Sequence, residues 1–191
     1  MLTIRHLDPA DTATALRWDE FVFACPEASF FHRSAWQVII RDVFRHATYF
    51  FYAESDAGIR GVLPLAHVNS RLFGNALVAL PFAVYGGVAA FDANAATALE
   101  NAAQELARKL GVDHLEFRNV APRHAAWPTQ DLYVTFRKAI LPAVEENLLA
   151  IPRKQRAMVR KGIKNELSVD WEHGVDGFFS EIGRASCRER V

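Results

Sequence analysis

Residues 48–68 read TYFFYAESDAGIRGVLPLAHV, and this stretch decides the fold prediction. Residues 48–54 are aromatic and typical of a β-strand. Asp56-Ala57-Gly58 has the composition of a tight turn, and residues 59–68 form a second, mainly apolar stretch. We therefore predict an antiparallel hairpin that is buried on at least one face.

The flanking sequence extends the hairpin into a mixed α/β pattern. Before it we predict a strand over 2–7, a helix from an Asp11 cap to Ala24 with Leu16, Phe21 and Phe23 among its apolar positions, and a helix capped by Ser34 with apolar positions Trp36, Ile39, Ile40, Val43 and Phe44. After it we predict strands over 76–80 and 84–90, a helix from Asp92 to Gly111, and strands over 114–118 and 131–140. This order predicts an α/β fold with a mixed sheet, in which antiparallel hairpins lead into a helical crossover.

Composition and charge narrow the class of protein. The chain has 191 residues, of which 51% are hydrophobic and 23% charged, so it can bury a sizeable core. Lys plus Arg and Asp plus Glu both total 22, which argues against a generally basic DNA- or RNA-binding protein. The first 21 residues lack a targeting signal, so we expect a cytoplasmic location.

Residues 72–91 are an uncharged stretch that is long enough to span a membrane. The stretch contains Asn75, Pro81 and three glycines, and it breaks at Leu80-Pro81. Two buried strands joined by a turn fit this composition better, so we predict no membrane span.

The C-terminal part of the sequence predicts a second, incomplete domain. After Pro142 we predict a short helix over 143–150, a basic helix over 152–167, a strand over 168–172 and a helix that begins near Val175. Residues 181–191 (EIGRASCRERV) can be back-translated into DNA that resembles a common sequencing-library adapter, so we expect an artefact there and a native frame that continues past Ser180. The predicted domains are therefore 1–140, a truncated 141–180, and the segment 181–191.

The basic helix is the sharpest local feature. Six basic residues and no acid occur between positions 153 and 164. At about 100° per residue, one arc of the helix carries Arg153, Arg156, Arg160 and Lys164, flanked by Lys154 and Lys161. The opposite side carries Ile151, Met158, Val159 and Ile163. One hypothesis is a site for phosphates of a ligand or of an RNA backbone, and the other is a solvated helix face.

A glycine pair follows the predicted strand 76–80, in the sequence Leu80-Pro81-Phe82-Ala83-Val84-Tyr85-Gly86-Gly87. Two glycines allow close backbone approach, and Tyr85 adds a ring with a hydroxyl group, so this stretch could line a ligand cleft. The alternative is a turn between core strands, and glycines mark turns more often than they mark binding sites. Neither a dinucleotide-binding fingerprint nor a P-loop is present.

Other polar residues give weaker signals. His114, Glu116 and Arg118 share one face of a predicted strand and could bind a substrate or move protons, although such a face is more often simply solvated. The remaining histidines have no metal-ligand spacing, so we predict no metal. Cys25, just before Pro26, is expected to be a buried structural thiol.

Taken together, these residues resemble the FemAB-like proteins, and within them the subgroup associated with PEP-CTERM/exosortase gene clusters. The resemblance covers about residues 20–170. Its cues are Ala28-Ser29-Phe30-Phe31 with Ser34-Ala35-Trp36, Gly61-Val62-Leu63-Pro64-Leu65, Ser70-Arg71-Leu72-Phe73-Gly74, Leu80-Pro81-Phe82 with Tyr85-Gly86-Gly87, Leu115-Glu116-Phe117-Arg118, and the basic run from Arg153 to Lys161.

The resemblance implies two GNAT-like domains in tandem and transfer of an acyl or aminoacyl group to an amine of a cell-envelope precursor, related to peptidoglycan or exopolysaccharide. It implies no bound cofactor, with aminoacyl-tRNA or acyl-CoA as a co-substrate. The implied substrate-binding residues are Trp36, Pro81, Phe82, Tyr85, Gly86, Gly87 and Arg118, and the implied anion-binding residues are Lys154, Arg156, Arg160, Lys161 and Lys164. We expect this chain by itself to be inactive.

Two other functions compete with this one. The first is an ordinary acetyl-CoA-dependent GNAT N-acetyltransferase, although the pyrophosphate-loop motif of CoA-using GNAT enzymes is missing before the Asp92 helix. The second is a non-enzymatic module that contacts RNA through the basic helix. Fold analogy alone does not choose among the three.

Overall fold

The computed structural model describes residues 1–70, 74–130, 134–166, 171 and 174–188. The chain divides into two units, which we call unit 1 (Met1–Gln130) and unit 2 (Asp131–Val191). The cue residues Arg71, Leu72 and Phe73 lie outside the described residues, as do residues 131–133 and, apart from Trp171, the predicted strand 168–172.

Unit 1 is a mixed α/β structure. Its elements in chain order are β1 (Thr3–His6), α1 (Thr12–Ala24), a 3-10 turn (Phe30–His32), α2 (Ala35–Asp42), β2 (Ala47–Ser55), β3 (Gly58–Ser70), β4 (Gly74–Ala79), β5 (Ala89–Ala90), α3 (Ala93–Leu110) and β6 (His114–Glu116). The prediction of an α/β fold with a mixed sheet is confirmed.

The strands form one sheet in the order β1-β2-β3-β4-β6, and β5 pairs with β3. The β2–β3 hairpin is antiparallel, as are the β1–β2, β3–β4 and β3–β5 pairs, whereas β4 and β6 are parallel. Helix α3 supplies the crossover that a parallel pair requires. The segment 74–91 is thus two strands and a turn, as predicted.

Strands β4 and β5 lie along the same edge of β3. Ala79 pairs with Leu65, and Ala89 pairs with Val62. Because only two positions of β3 separate these pairs, residues 80–88 are an excursion from one interrupted strand. We call this excursion the glycine turn.

Both faces of the sheet are covered by helices, which explains why β3 is apolar almost continuously. On one face, Trp18 of α1 and Ile40 of α2 pack with Phe50, Val62 and Ala66 of the hairpin. On the other face, α3 packs on a second core cluster that includes Leu63, Leu65, Leu77, Leu99 and Ala103. The glycine turn contributes Leu80 and Ala83 to the first cluster.

The two predicted N-caps, Asp11 of α1 and Asp92 of α3, both form capping hydrogen bonds. Asp11 accepts a hydrogen bond from the Thr14 amide at 3.0 Å, and Asp92 accepts one from the Ala95 amide at 2.9 Å. Gly111, with φ of 62°, ends α3 in the left-handed conformation typical of a C-terminal glycine. These predictions are confirmed.

The predicted Ser34 cap is wrong, and several apolar positions named for α1 and α2 are exposed. Leu16 and Phe23 are exposed, because α1 turns Trp18, Phe21 and Val22 toward the sheet. Ser34 makes no capping bond, because its backbone is already helical after the preceding 3-10 turn. In α2 the buried pair is Gln37 and Ile40, while Ile39, Val43 and Phe44 remain exposed.

The predicted strand 84–90 is reduced to Ala89–Ala90. The preceding residues 80–88 leave the edge of β3, so they have no strand partner with which to extend the ladder. The glycine pair therefore lies in the turn and not in a strand.

Unit 2 contains α4 (Val144–Leu149), α5 (Arg153–Lys164) and α6 (Asp176–Arg188). The predicted strand over 131–140 is wrong for its described part, since residues 134–140 form no strand. Val134, Phe136 and Ile140 are at least three-quarters exposed. Alternating apolar residues form a strand only where a second strand can pair with them, and the described part of unit 2 contains none. No helix in the described residues combines the length and apolarity needed to cross a bilayer.

Candidate functional site

The candidate site lies where the parallel strands β4 and β6 end. Their register runs from Ala76 and His114 to Val78 and Glu116. The glycine turn leaves the sheet directly after β4, and Arg118 follows β6 by two residues. Ligands in open α/β sheets bind beyond the carboxyl ends of parallel strands, so a ligand is expected at this edge.

Backbone hydrogen bonds tie the glycine turn to the end of β6. The amides of Gly86 and Gly87 both donate to the Arg118 carbonyl, each at 3.2 Å. In return, the Arg118 guanidinium donates from Nη1 to the Ala83 carbonyl at 2.7 Å. The structure therefore brings together three of the predicted substrate-binding residues, Gly86, Gly87 and Arg118.

The two glycines are required by space. A Cβ atom on Gly86 would lie 2.5 Å from Leu80 Cβ and 2.8 Å from the Ala79 carbonyl oxygen. A Cβ atom on Gly87 would overlap the Asn119 amide oxygen and lie 2.8 Å from Asn119 Cγ. The close backbone approach that two glycines permit is thus present at both positions.

The glycine turn also holds two non-glycine residues in the left-handed region. Leu80 has φ of 53° and is fully buried, and Phe82 has φ of 68° and is 56% exposed. The Phe82 ring stacks on Phe44 at a centroid distance of 4.1 Å and lies nearly parallel to His46 at 5.8 Å. Such conformations cost about 1–3 kcal/mol each and cluster at binding and switch regions.

The remaining predicted substrate-binding residues differ in burial and position. Pro81 is buried, and Tyr85 is half-buried. Trp36 lies on α2 and packs with the rings of Phe30 and Phe31, each at 6.0 Å. Trp36 therefore belongs to the aromatic group beside the 3-10 turn.

The polar face of β6 is partly engaged in structure. Arg118 Nε donates to Glu116 Oε1 at 2.6 Å, so its guanidinium holds both a carboxylate and the Ala83 carbonyl. His114 is exposed at the start of β6. This arrangement fixes the glycine turn, and a proton-transfer role for the face remains a prediction.

Sequence reasoning missed His32, which holds the turn from the other side. His32 is buried, and its Nε2 lies 2.9 Å from the Gly87 carbonyl oxygen. Its Nδ1 lies 3.1 Å from the Ser29 amide and completes a capping box with Ser29. Burial lowers the pKa of His32 below its ordinary value, while the bond to the Gly87 carbonyl opposes that shift. The spacing Ser29-x-x-His32 is that of a capping box, with His in place of the usual Glu or Gln, and this spacing could have found it.

A second missed cluster surrounds Glu100 of α3, whose side chain is 5% exposed. Arg123 Nε donates to Glu100 Oε1 at 2.9 Å, and His124 Nε2 lies 2.9 Å from Glu100 Oε2. Glu27 approaches Arg123 at 3.6 Å and accepts from the Ala90 amide at 3.2 Å. This cluster fastens the irregular segment after β6 to the helix layer. The polar side of α3 gave no signal for it, because its partners lie 23 and 24 residues away.

Cys25 is a buried free thiol, as expected, and burial raises its pKa. A raised pKa keeps the sulfur protonated and weakly nucleophilic. Among the described residues, no group of three or more His, Cys, Asp or Glu side chains could hold a metal ion.

In unit 2, the basic helix exists as α5 over Arg153–Lys164. Arg156 is half-buried and donates to the Leu149 carbonyl at 2.9 Å and to the Ile151 carbonyl at 3.0 and 3.3 Å. It therefore caps the end of α4, where helix carbonyls lack partners. The remaining cations are exposed, and no described carboxylate forms an ion pair with them; they are Arg153, Lys154, Arg160, Lys161 and Lys164, which we call the basic ridge.

No protein-family model matches the chain, and a search of curated protein sequences finds no match. Solved structures give partial matches. A GNAT family acetyltransferase of Staphylococcus aureus matches with 9% identity and a TM-score of 0.48, covering 73% of this chain and 98% of that one. A ribosomal-protein-alanine N-acetyltransferase of Brucella melitensis biovar Abortus matches with 12% identity and a TM-score of 0.46, covering 73% and 99%.

A transcriptional regulator of Bacillus halodurans matches with 13% identity and a TM-score of 0.43, covering 73% of this chain and all of that one. Because each of these scores is below 0.5, the matches transfer no activity to this chain. An assignment of function has to rest on the residues and geometry of the site.

Proposed function

We propose that this chain belongs to a GNAT-like acyltransferase of the FemAB-like type, which transfers an acyl or aminoacyl group to an amine of a cell-envelope precursor. Aminoacyl-tRNA or acyl-CoA is the proposed donor and co-substrate, with no resident cofactor. We place the reaction in the cytoplasm and take residues 141–180 as the start of a second GNAT-like domain.

The observation that supports the proposal is the interrupted strand beside the parallel β4–β6 pair. The glycine turn separates β4 from β5 and is fastened to the residues after β6 by Gly86, Gly87 and Arg118. Two left-handed non-glycine residues in one short turn are costly, and folds retain such strain chiefly at functional sites. The exposed Phe82 ring at the same turn offers an apolar contact for a substrate.

Acyl transfer to an amine needs positioning more than a covalent enzyme intermediate. The amine nitrogen attacks the acyl carbonyl carbon and a C–N bond forms. The C–O bond to the tRNA hydroxyl, or the C–S bond to CoA, then breaks, and the leaving group takes up the proton that the amine loses. Holding both reactants in a rigid cleft supplies much of the acceleration of such a reaction. Side-chain hydrogen bonds from Arg118 and His32 hold the Ala83 and Gly87 carbonyl groups, so the backbone of the glycine turn is held in place.

The basic ridge is the proposed contact for phosphates of the donor or the acceptor. Arg and Lys side chains pair well with phosphate oxygens, and these cations have no described carboxylate partner. Arg156 was part of the predicted anion site, but its guanidinium already donates three hydrogen bonds to carbonyls. We therefore assign phosphate contact to four members of the basic ridge, Lys154, Arg160, Lys161 and Lys164, and give Arg156 a structural role.

The test offers the purified chain two donors, alanyl-tRNA and acetyl-CoA, with a UDP-linked muramyl pentapeptide as acceptor. Because the chain by itself is expected to be inactive, the readout is binding, and fluorescence anisotropy measures binding of labelled tRNA and labelled acceptor. We expect binding of at least one of these two probes, and Lys161→Glu to weaken it. Lys109→Glu, an equal charge change at the exposed end of α3, is the matched control and is expected to have no effect.

The outcomes separate the candidate functions. Thermal stabilisation by acetyl-CoA alone would favour an acetyl-CoA-dependent N-acetyltransferase, since a ligand that binds the native state stabilises it. Binding of any RNA with a steep salt dependence, together with no binding of the acceptor, would favour the RNA-contacting module. Absence of binding to every probe would contradict the proposal.

A further inference from the structure

His32 is connected to the glycine turn by hydrogen bonds that fix its protonation. Its Nδ1 lies 3.1 Å from the Ser29 backbone amide, which can only donate, so Nδ1 carries no proton. Its Nε2 lies 2.9 Å from the Gly87 carbonyl oxygen, which can only accept, so Nε2 carries the proton and donates it. The ring is therefore neutral and in one tautomer.

His32 is itself held firmly. Its side chain is 2% exposed, and its backbone carbonyl accepts a hydrogen bond of 2.6 Å from the Trp18 indole, which is fully buried. The Ser29 hydroxyl also lies 3.1 Å from Nδ1. These contacts come from α1 and the 3-10 turn, so they join the first helix layer to the glycine turn.

The glycine turn depends on outside bonds for its shape. Leu80 and Phe82 are in the left-handed region, and Gly86 and Gly87 give the turn no side chains with which to hold itself. Two side chains bind its carbonyls instead, Arg118 at Ala83 and His32 at Gly87. His32 thus sets the orientation of the peptide that follows Gly87.

We infer that His32 is a positioning residue for the glycine turn, acting on the transferred groups only through the Gly87 carbonyl. This inference rests on the proposed function for its catalytic meaning, because the turn is the proposed wall of the acyl-transfer site. His32 never touches substrate, since both ring nitrogens are already bonded inside the protein.

Two substitutions each keep one of the two hydrogen bonds of the His32 ring and remove the other. His32→Gln places an amide nitrogen near Nε2 and keeps the bond to Gly87. His32→Asn places an oxygen near Nδ1 and keeps the bond to Ser29, but cannot reach Gly87. We expect exchange of the Gly86 and Gly87 amides to accelerate roughly tenfold in His32→Asn, the change expected from one lost hydrogen bond. In His32→Gln we expect exchange near the wild-type rate.

The same pair is compared by amide exchange over the whole of unit 1. A residue needed only for stability would accelerate exchange throughout unit 1, whereas we expect the acceleration in His32→Asn to be confined to the glycine turn and to be absent in His32→Gln. Equal exchange rates in both variants and the wild type would overturn the inference.

If His32→Asn unfolds unit 1, a measurement on the wild-type chain still tests the inference. Ring ¹⁵N chemical shifts from NMR are expected to show the neutral Nε2–H tautomer at neutral pH. An Nδ1–H tautomer or a mixture would overturn the inference whatever the variants do. If no probe binds the chain, the proposed function fails, while the exchange rates and the tautomer still test the role of His32.

Discussion

Gly87→Ala places a methyl group where the Asn119 side chain now lies. The new Cβ would overlap the Asn119 amide oxygen and approach its Cγ to 2.8 Å and its Cα to 3.0 Å. Forcing an atom into a packed region costs about 1–3 kcal/mol, and we expect about 2 kcal/mol here. The Asn119 oxygen is buried and has no hydrogen-bond partner among the described residues, so Asn119→Ala removes an unpaired polar atom and is expected to change stability by less than about 1 kcal/mol.

The two changes should therefore compensate in a double-mutant cycle. Removing the Asn119 side chain frees the space that the Gly87→Ala methyl group needs, apart from the remaining 3.0 Å approach to Cα. We expect a favourable coupling free energy of about 1–2 kcal/mol, within the range seen for residues in contact.

Urea unfolding followed by tryptophan fluorescence measures this coupling. At a slope of about 2 kcal/mol per molar urea, Gly87→Ala alone lowers the midpoint by about 1 M, and the double variant recovers half or more of that loss. Gly86→Ala is the control, because its Cβ meets Leu80 Cβ and the Ala79 carbonyl, which Asn119→Ala leaves in place. Additivity of Gly87→Ala and Asn119→Ala within about 0.5 kcal/mol would refute the packing described for the turn.

Three further predictions concern other contacts. Because burial lowers the pKa of His32, the native state binds fewer protons than the unfolded chain below the ordinary histidine pKa of about 6.5. The free energy of unfolding should therefore be at its full value above that pH and fall as the pH drops through it. Denaturation measured across this pH range should show no such fall in His32→Gln. Arg156→Ala should speed amide exchange over residues 144–151 by removing three hydrogen bonds to carbonyls, whereas Arg160→Ala should leave it unchanged, and equal effects would refute the capping role. Glu100→Ala should lower the free energy of unfolding by about 1–3 kcal/mol, as measured by thermal unfolding. The loss is smaller than for a fully buried pair because the Arg123 side chain is 27% exposed. A loss below about 0.5 kcal/mol would contradict a stabilising role for the Glu100 cluster.

The elements that the sequence predicts well are those whose signals are local. The Asp11 and Asp92 caps and the Gly111 end act within one helical turn, and each is found where predicted. The β2–β3 hairpin is equally local, because its turn residues directly join the two strands. Local chemistry of this kind does not depend on the rest of the chain.

Predictions failed where a partner distant in the sequence decides the structure. Phe136 alternates with its neighbours as a strand would, yet residues 134–140 form none, because the described part of unit 2 offers no strand to pair with them. Leu16 and Phe23 are apolar and exposed, because the orientation of α1 against the sheet determines which of its residues are buried. An apolar pattern gives the period of an element but not which side faces a neighbour.

The sequence alone determined that a glycine-containing turn follows a buried strand and that a basic helix follows Pro142, since both depend on consecutive residues. Only the tertiary structure decided what these features contact. His32, Gly87 and Arg118 meet across 55 and 31 positions of the chain, and Arg156 turns back to the end of α4. Such contacts are selected by packing of the whole sheet and its helices, because no local signal specifies which distant carbonyl a donor will reach.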